Sequence, residues 1–455
     1  MERRGVPLLV ALLAVLAVGQ GPRLLVQQAA PAGDNQAKEE EKSQRKAPAA
    51  EKKPESSADQ TLARARAEPL RLVRELLDLP PAEIPGSEAD LTWIAGTLGR
   101  DHLASVVALV PDPVDSNVAA NFDQALEAIQ EGCADAGFLL DRLWLPWTDE
   151  WAKQNVYRSV PGVLLLRGAE PGPALLTVLL VGETPKEGVH KEAFRAALSI
   201  AAQLQPDGEP VRLLGPTFSG SVDSLQVALA RVERDSGAVP SLRVVTGSAT
   251  APDELFAFLG PDFTRTVVPD ERLQTETFGF LTRQMGWRAD KMALLTESDT
   301  LYGSTASTRV PGGPVTVLFP SGLGSVRSAW EKSEKQRAAE AEKQNPLKVP
   351  RTSLELSLVD ESKPVDIAPQ FSGLTAASKD LVLSNLLDSL WRSGIRYVGI
   401  LSTDVRDSLY LAQRVRTFAP DMVLFTIDNN LLYAHPQYLN ELDGALVLSS
   451  FPLVT

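Results

Sequence analysis

The chain has 455 residues, enough for two or three domains, and its apolar content of 44% is ordinary for a globular protein. A formal net charge of −13 argues against a nucleic-acid partner, because neutralising phosphates requires a basic face. The excess of acidic residues otherwise bears mainly on solubility, since a net charge far from zero keeps proteins soluble.

The N-terminal residues 1–21 have the pattern of an export signal. Glu2, Arg3 and Arg4 form a charged start, and a largely apolar run of thirteen residues, Val6–Val18, follows. A membrane span needs about 20 residues. We therefore expect a signal peptide or, because no Ala-x-Ala cleavage site follows, an uncleaved N-terminal anchor. The protein is then exported to the periplasm or the extracellular space, with membrane contact only through an uncleaved N-terminus.

Residues 22–62 are rich in Ala, Glu, Lys, Pro and Ser. This composition cannot bury enough apolar surface to offset the entropy of ordering, so a disordered linker is predicted. From residue 63 to 269, apolar runs of strand length alternate with helical patterns, which predicts a parallel, doubly wound α/β lobe. One extra pair of strand-like runs, at 163–166 and 175–181, interrupts the alternation.

A single cysteine, Cys133, excludes an internal disulfide framework. It continues the apolar stripe of a predicted helix over 117–136, which favours a small buried residue over a reactive thiol. His102, His190 and His435 lie far apart and show no metal-ligand spacing, so neither a metal nor another cofactor is expected. The tryptophan-rich segment 143–151 is expected to form a buried aromatic corner.

Two polar loops follow neighbouring strands of the first predicted lobe. GPTFSG at 215–220 and TGSATAPDEL at 246–255 each lead into a helix. Ser219, Ser248 and Thr250 could simply cap these helices. Alternatively, their hydroxyl groups and the amides of a helix N-terminus could hold an anionic group such as a carboxylate.

The stretch 263–304 reads as strand, helix, strand and polar loop. Phe278, Leu281 and Met285 fall at spacings of three and four, so they should share one buried helix face. After an irregular insertion near 335–374, the pattern returns to strands alternating with helices. The first of these helices has a predicted buried stripe of Leu383, Leu386, Leu387, Leu390 and Trp391.

The same stretch resembles the domain crossover of the type 1 periplasmic binding proteins, the branched-chain amino acid receptor family. The family's motif residues occur in order as Phe263, Arg265, Asp270, Gly286, Trp287, Asp299, Tyr302 and Gly303. The GPTFSG and GSATAPDEL loops are similar to two first-lobe loops of this family. The resemblance implies an α/β protein with two doubly wound parallel-sheet lobes, one at 63–269 and one at 270–455.

Two features depart from the family. The loop after the first strand, PDPVDSN at 111–117, lacks the family's glycine-rich opening. The sequence also ends where the family crosses back into its first lobe. Either the chain is incomplete or this second return is missing.

The resemblance implies an exported, non-enzymatic solute-binding or ligand-sensing protein with a small polar, amino acid-like ligand between its lobes. Ser219 would hold the ligand's carboxylate with nearby amides, Ser248 and Thr250 would contact the carboxylate and the amino group, and Tyr302 would close over the ligand. Asp407, with Asp404 as the alternative, would pair with its ammonium group. The lobes would close about a hinge at Pro269 and Asp270, and a membrane transporter or sensor would be the partner.

A second hypothesis is an envelope interaction module on the same fold whose cleft no longer binds a ligand. The atypical first loop and the long linker favour it. An enzyme is not expected, because the sequence has neither a Gly-x-Ser-x-Gly elbow nor a Walker-type loop.

Overall fold

The computed structural model describes residues 57–76, 102–116, 118–169, 174–206, 208–298, 300, 302–303, 313–344, 354–359 and 372–449. The predicted signal segment and the predicted linker up to residue 56 lie outside these ranges, as does most of the predicted insertion. Within the described part of the chain, no helix has the length and apolar character that a membrane span requires.

The first sheet has eight strands, built from residues 103–265. They are β1 (Leu103–Pro111), β2 (Phe138–Trp144), β3 (Gly162–Gly168), β4 (Leu175–Thr184), β5 (Gly188–Val189), β6 (Val211–Leu214), β7 (Leu242–Thr246) and β8 (Phe263–Arg265). The order is β2-β3-β4-β1-β6-β7-β8, with β5 paired to β4. All ten residues of β4 are buried, as expected for a central strand covered on both faces.

Strands β4, β1, β6, β7 and β8 are parallel, whereas β2, β3 and β5 pair antiparallel. The first sheet is thus mixed and not wholly parallel as predicted. The reason lies in the connection between β3 and β4, which is only six residues long. A parallel crossover needs about a dozen residues or more, so this short connection forces a hairpin.

Helices on the first sheet are α1 (Ser57–Leu76), α2 (Ala120–Asp135), α3 (Asp149–Ala152), α4 (Lys191–Leu204) and α5 (Ser221–Ser236), with 3₁₀ turns at Val156–Arg158 and Asp253–Asp262. Helix α1 includes residues 57–62, which were predicted as linker. Helix α4 buries Phe194, Leu198 and Ala201 at spacings of four and three against β1 and β4. Full burial of one large apolar side chain contributes roughly 1.5–3 kcal/mol.

The second sheet has five strands, all parallel, in the order β10-β9-β11-β12-β13. They are β9 (Met292–Glu297), β10 (Val315–Phe319), β11 (Tyr397–Leu401), β12 (Val423–Thr426) and β13 (Leu446–Val447). The chain passes from β9 out to β10 and returns to β11 on the other side of β9. This reversal is the kind of switch point at which open α/β sheets bind ligands.

Helices of the second half are α6 (Asp270–Arg283), α7 (Leu323–Gln344), α8 (Gly373–Arg392), α9 (Val405–Phe418) and α10 (Leu439–Leu442), with 3₁₀ turns at Ala289–Lys291, Leu431–Ala434 and Pro436–Tyr438. Helix α7 runs to Gln344, so residues 335–344 of the predicted irregular insertion are helical. The α/β class predicted from the sequence is confirmed, with two sheets built from successive parts of the chain.

Three predicted core residues are more exposed than expected. Met285 is 45% exposed, because α6 ends at Arg283 and Gly286, with φ +70°, turns the chain; Trp287 is buried instead, its ring 3.9 Å from that of Tyr397. Trp391 is 46% exposed, since repeated steps of four residues drift around a helix with 3.6 residues per turn. Cys133 is half-buried against the first sheet.

Candidate ligand-binding site

Loops from the carboxyl ends of strands in both sheets open onto one cavity of about 240 Å³. The first sheet contributes the loops after β4, β6 and β7, and the second sheet contributes the loops after β9, β11, β12 and β13. The lining residues are Asn121, Pro185, Thr217, Phe218, Ser219, Gly220, Gly247, Ser248, Thr250, Val267, Asp270, Leu273, Thr300, Tyr302, Ser402, Thr403, Ile427, Asp428, Asn429 and Ser449.

The two serine- and threonine-rich loops of the first sheet are tied to each other. The Ser248 hydroxyl donates to the Thr217 carbonyl at 2.9 Å, and the Thr250 amide donates to the Ser219 hydroxyl at 3.2 Å. Helix α5 has no side-chain cap at its first flanking residue, Gly220. Ser219 therefore bridges two cavity loops, and the capping interpretation does not describe its contact.

A buried glutamate, Glu183, holds the loop that follows β6. Glu183, at the end of β4, is fully buried and accepts the Thr217 amide at 2.5 Å. Burial raises the pKa of its carboxyl group. The loop also passes close to β4's own connection: a Cβ atom added to Gly220 would lie 2.2 Å from the Pro185 carbonyl oxygen. Glycine is thus the residue that this approach allows.

A second glutamate supports the opposite wall. Glu297, at the end of β9, accepts the Thr300 hydroxyl at 2.7 Å and the Thr403 amide at 3.1 Å, and the Thr403 hydroxyl also donates to it. Thr300 in turn accepts the Gly303 amide at 3.0 Å, which fixes the backbone on either side of Tyr302. Burial, and secondarily the charges of nearby Asp270 and Asp428, hold the pKa of Tyr302 well above its usual range.

Two aspartates line the cavity. Asp270, the first residue of α6, is 6% exposed, and its amide donates to the Thr250 carbonyl at 2.9 Å. Burial raises its pKa to about 7 against a hydrogen bond from Thr250, and the charge of Asp428 adds to the rise. The Asp428 residue is accessible to solvent. The protein atoms around its carboxyl group nevertheless displace enough water to raise its pKa.

Neither of the predicted residues Asp404 and Asp407 lines this cavity, although Asp407 borders a smaller adjoining pocket that shares Pro185, Thr300 and Thr403 with it. The Arg327 guanidinium, which is fully buried on α7, lies 3.1 Å from Asp404 and 3.2 Å from Asp407. Arg406 also pairs with Asp404 at 2.8 Å. Although burial alone would raise it, the two arginines lower the pKa of Asp404. Both carboxylates belong to an ion-pair network between α7 and α9.

Four of the six residues predicted to contact the ligand line the cavity, and two acidic lining residues, Asp270 and Asp428, were not predicted as ligand contacts. Ser219, Ser248, Thr250 and Tyr302 all line the cavity. Asp270 was predicted only as a hinge residue, and Asp428 was not singled out. A signal for Asp428 was present, because it is the first charged residue after the buried strand β12, where open sheets place their ligand loops.

The atypical loop after β1 is anchored inside the first half of the molecule. Asp112 accepts the Val114 amide at 2.7 Å, the Trp147 indole at 2.8 Å, and lies 2.9 Å from the His190 ring nitrogen. Trp147 also packs on Phe122, with 5.1 Å between ring centroids. The tryptophan-rich segment thus forms an internal aromatic corner, as predicted.

Asp115, in the same loop, completes this internal network. It accepts the Tyr157 hydroxyl at 2.8 Å and pairs with Arg158 at 2.5 Å. Ligand atoms of Asp112, Asp115 and His190 lie within 4.8 Å of one another, a spacing that a metal ion could bridge. Because protein N–H and O–H groups already contact these carboxylates, the arrangement is best explained as a buried hydrogen-bond network.

No protein-family model matches the chain, and no curated protein matches it. Among solved structures, the chain is similar to an ABC transporter substrate-binding protein from Desulfitobacterium hafniense in complex with Leu. That likeness has 12% identity and a TM-score of 0.36, over 76% of this chain and 70% of that one.

Two further solved structures show similar values. A second structure of an ABC transporter substrate-binding protein from Desulfitobacterium hafniense has 12% identity and a TM-score of 0.33, over 76% of this chain and 70% of that one. GsuK bound to ADP has 10% identity and a TM-score of 0.33, over 79% of this chain and 71% of that one. The α/β architecture described above rests on this chain's own strand order and pairing.

Proposed function

We propose that the protein is an exported solute-binding protein that holds a small polar ligand with an amino group in the cavity between its two sheets. The observation that carries this proposal is the convergence of loops from both sheets on one cavity lined with hydroxyl groups and two carboxylates. Open α/β sheets bind ligands at this edge, and a few convergent polar groups in a concave site are typical of small-molecule recognition.

The ligand's orientation follows from the distribution of polar groups. An ammonium group is best placed near Asp428, with Tyr302 beside it. A carboxylate is best placed against the hydroxyl groups of Ser219, Ser248 and Thr250 at the N-terminal end of α5, where the helix dipole favours negative charge. Asp428 thus takes the role that sequence reasoning gave to Asp404 or Asp407. Binding alone explains the site, and no reaction is required.

The proposed role in the cell is delivery of the ligand to a membrane transporter or a sensor. Support comes from the export-type pattern of residues 1–21. The alternative, an interaction module with an unused cleft, would be favoured by a filled space between the sheets. An accessible cavity with a polar lining supports the receptor instead.

The test is thermal unfolding of the full chain against a panel of amino acids and small amines. A ligand that binds only the folded state raises stability by about 2.7 kcal/mol at a hundredfold excess over Kd, which is a shift of several degrees. Asp428→Asn should abolish that shift, while Asp421→Asn, an exposed aspartate in the same half, should keep it. A panel with no shift, in a chain that unfolds cooperatively, would reject the receptor and favour the interaction module.

A further inference from the structure

The cavity has an excess of negative charge that one zwitterion does not balance. Of the described residues that line it, Asp270 and Asp428 are acidic and none is Lys, Arg or His. A ligand with one ammonium and one carboxylate adds no net charge, so both aspartates together would remain undercompensated. Asp428 is accessible to solvent, but Asp270 is buried, and a buried charge without a partner is costly.

The buried carboxylate of Asp270 can accept a further hydrogen bond or ion pair. It is 6% exposed, and its Oδ2 atom has no hydrogen-bond partner among the described residues. The nearby basic residue Arg265 points elsewhere: it lies 3.1 Å from Asp253, and its guanidinium sits 4.7 Å from the Phe256 ring centroid. Arg265 lowers the pKa of Asp270 only as the weakest of several influences.

We propose that the cavity selects a small aliphatic ligand with two amino groups, one at Asp428 and the other at Asp270. This inference rests on the proposed function and narrows it to one ligand class. The apolar part of the lining suits the methylene chain between two amino groups, since Phe218, Val267, Leu273 and Ile427 also border the space. Two sources share this chemistry: amino acids with a basic side chain, and diamines without a carboxylate.

Proton release gives the proposal a second readout. With a pKa of about 7, Asp270 is about half protonated at neutral pH in the ligand-free protein. An ammonium group beside it favours the ionised carboxylate, so binding of the second amino group expels a proton into the buffer. A ligand whose amino group contacts Asp428 alone should release fewer protons on binding.

Calorimetric titration of the full chain with matched ligand pairs tests the inference. L-lysine is compared with L-norleucine, which lacks only the side-chain amino group, and cadaverine is compared with pentylamine. We expect the diamino member of at least one pair to bind about tenfold tighter or more, which is the effect of one charge-assisted contact. Titrations in buffers of different ionisation enthalpy at pH 7 should show proton release for that member.

Variants separate this inference from the proposed function. Asp270→Asn should reduce the preference for the diamino ligand to near unity and remove the proton release. Asp428→Asn should weaken both members of a pair, and Asp421→Asn should weaken neither.

Equal affinities for L-lysine and L-norleucine, together with equal affinities for cadaverine and pentylamine, would overturn the inference and leave the receptor intact. Absence of binding by all four ligands would overturn the inference, and the proposed function would fall with it only if the wider panel of amino acids and small amines also gave no thermal shift. Tighter binding of L-lysine than of cadaverine would show that the ligand's carboxylate is recognised as well. Tighter binding of cadaverine would show that the preferred ligand is a diamine without a carboxylate.

Discussion

Arg327 is the most deeply buried cation described in the second half of the chain, and two aspartates surround it. It is fully buried, and its guanidinium contacts Asp404 and Asp407 from α9. Without Asp407, Arg327 would share Asp404 with Arg406, and the excess positive charge in this network should cost about 3–5 kcal/mol. Asp404 and Asp407, which the resemblance assigned to ligand binding, are therefore also expected to stabilise the fold.

Asp407→Ala should therefore lower the free energy of unfolding by about 3–5 kcal/mol. The matched control is Asp388→Ala, which breaks an exposed pair with Arg392 and should cost about 0.5 kcal/mol or less. Urea unfolding curves of both variants give the comparison. Equal midpoints for the two variants would contradict the assignment of Asp407 to a buried network.

Asp270 should make the ligand-free protein less stable as the pH rises. Its pKa is about 7 in the folded protein and near the ordinary 3.8 when unfolded. Between these values the folded state keeps a proton that the unfolded state has released. Its stabilising contribution is thus complete below about pH 4 and is lost as the pH approaches 7.

Asp270→Asn removes this dependence, because an amide does not titrate. The variant should melt several degrees above the unsubstituted chain at pH 8, and the two should melt together at pH 4. Thermal melts across that range, without ligand, measure the difference. A gap that is as large at pH 4 as at pH 8 would show that Asp270 is not the titrating group.

The hydroxyl-bearing residues of the cavity were easier to predict from the sequence than its acidic residues. Ser219, Ser248 and Thr250 could be placed at the cavity because each follows a buried strand in a short loop. The ion pair of Asp407 with Arg327 could not be predicted, because the sequence does not show that a buried arginine from α7 faces this side of α9. The position of Asp428 in the cavity lining likewise depends on the relative position of the two sheets.

At the scale of elements, the loop between β6 and α5 is fitted closely against its neighbour. Gly220 has an ordinary φ of −65°, so its requirement is space alone. A Cβ atom there would lie 2.2 Å from the Pro185 carbonyl oxygen, a backbone atom that cannot rotate away. The loop must move if that position carries a side chain.

Gly220→Ala should therefore weaken ligand binding by about tenfold or more, because displacing the loop removes the contacts of Ser219. Gly132→Ala is the control: nothing lies within 4 Å of its added Cβ, and it should raise stability by about 0.5–1 kcal/mol within α2. Affinity and melting temperature are measured for both. Unchanged affinity in Gly220→Ala would show that this loop does not contact the ligand.

Element boundaries can be read from apolar spacing and capping residues, whereas strand direction also requires the length of each connection. Helix α9, Val405–Phe418, shows both boundary signals, since its apolar residues recur at helical spacing and Asp404 caps its start. The hydrophobic runs of β3 and β4 were also found. Their antiparallel pairing could have been inferred from the short connection between the two runs, which the sequence shows although the alternation of strands and helices does not.

At the scale of the whole molecule, a cavity shared by two sheets predicts that ligand binding draws them together. Contacts made by both walls only in the closed arrangement supply the energy for such a hinge motion. The crossing at Pro269 and Asp270 is the proposed hinge.

Spin labels on exposed sites should report this closure. With Cys133 replaced by Ser, labels at Glu233→Cys and Arg392→Cys lie on different sheets' helices, and their distance distribution should change on ligand addition. A control pair at Glu233→Cys and Glu131→Cys reports on the first sheet's helices alone and should not change. Identical changes for both pairs would argue against a hinge.

Glu183 and Glu297 have one further consequence. Both lie beneath the cavity and hold the backbone of its opposite walls, while neither lines the space itself. The Thr217 and Thr403 amides that bind these glutamates are backbone groups, so lining side chains that make no loop-to-loop hydrogen bond, such as Asp428 and Leu273, can be exchanged without breaking them. Ligand preference can then drift through successive substitutions at the surface of the cavity while the supporting layer persists, so a new specificity need not pass through an unfolded intermediate.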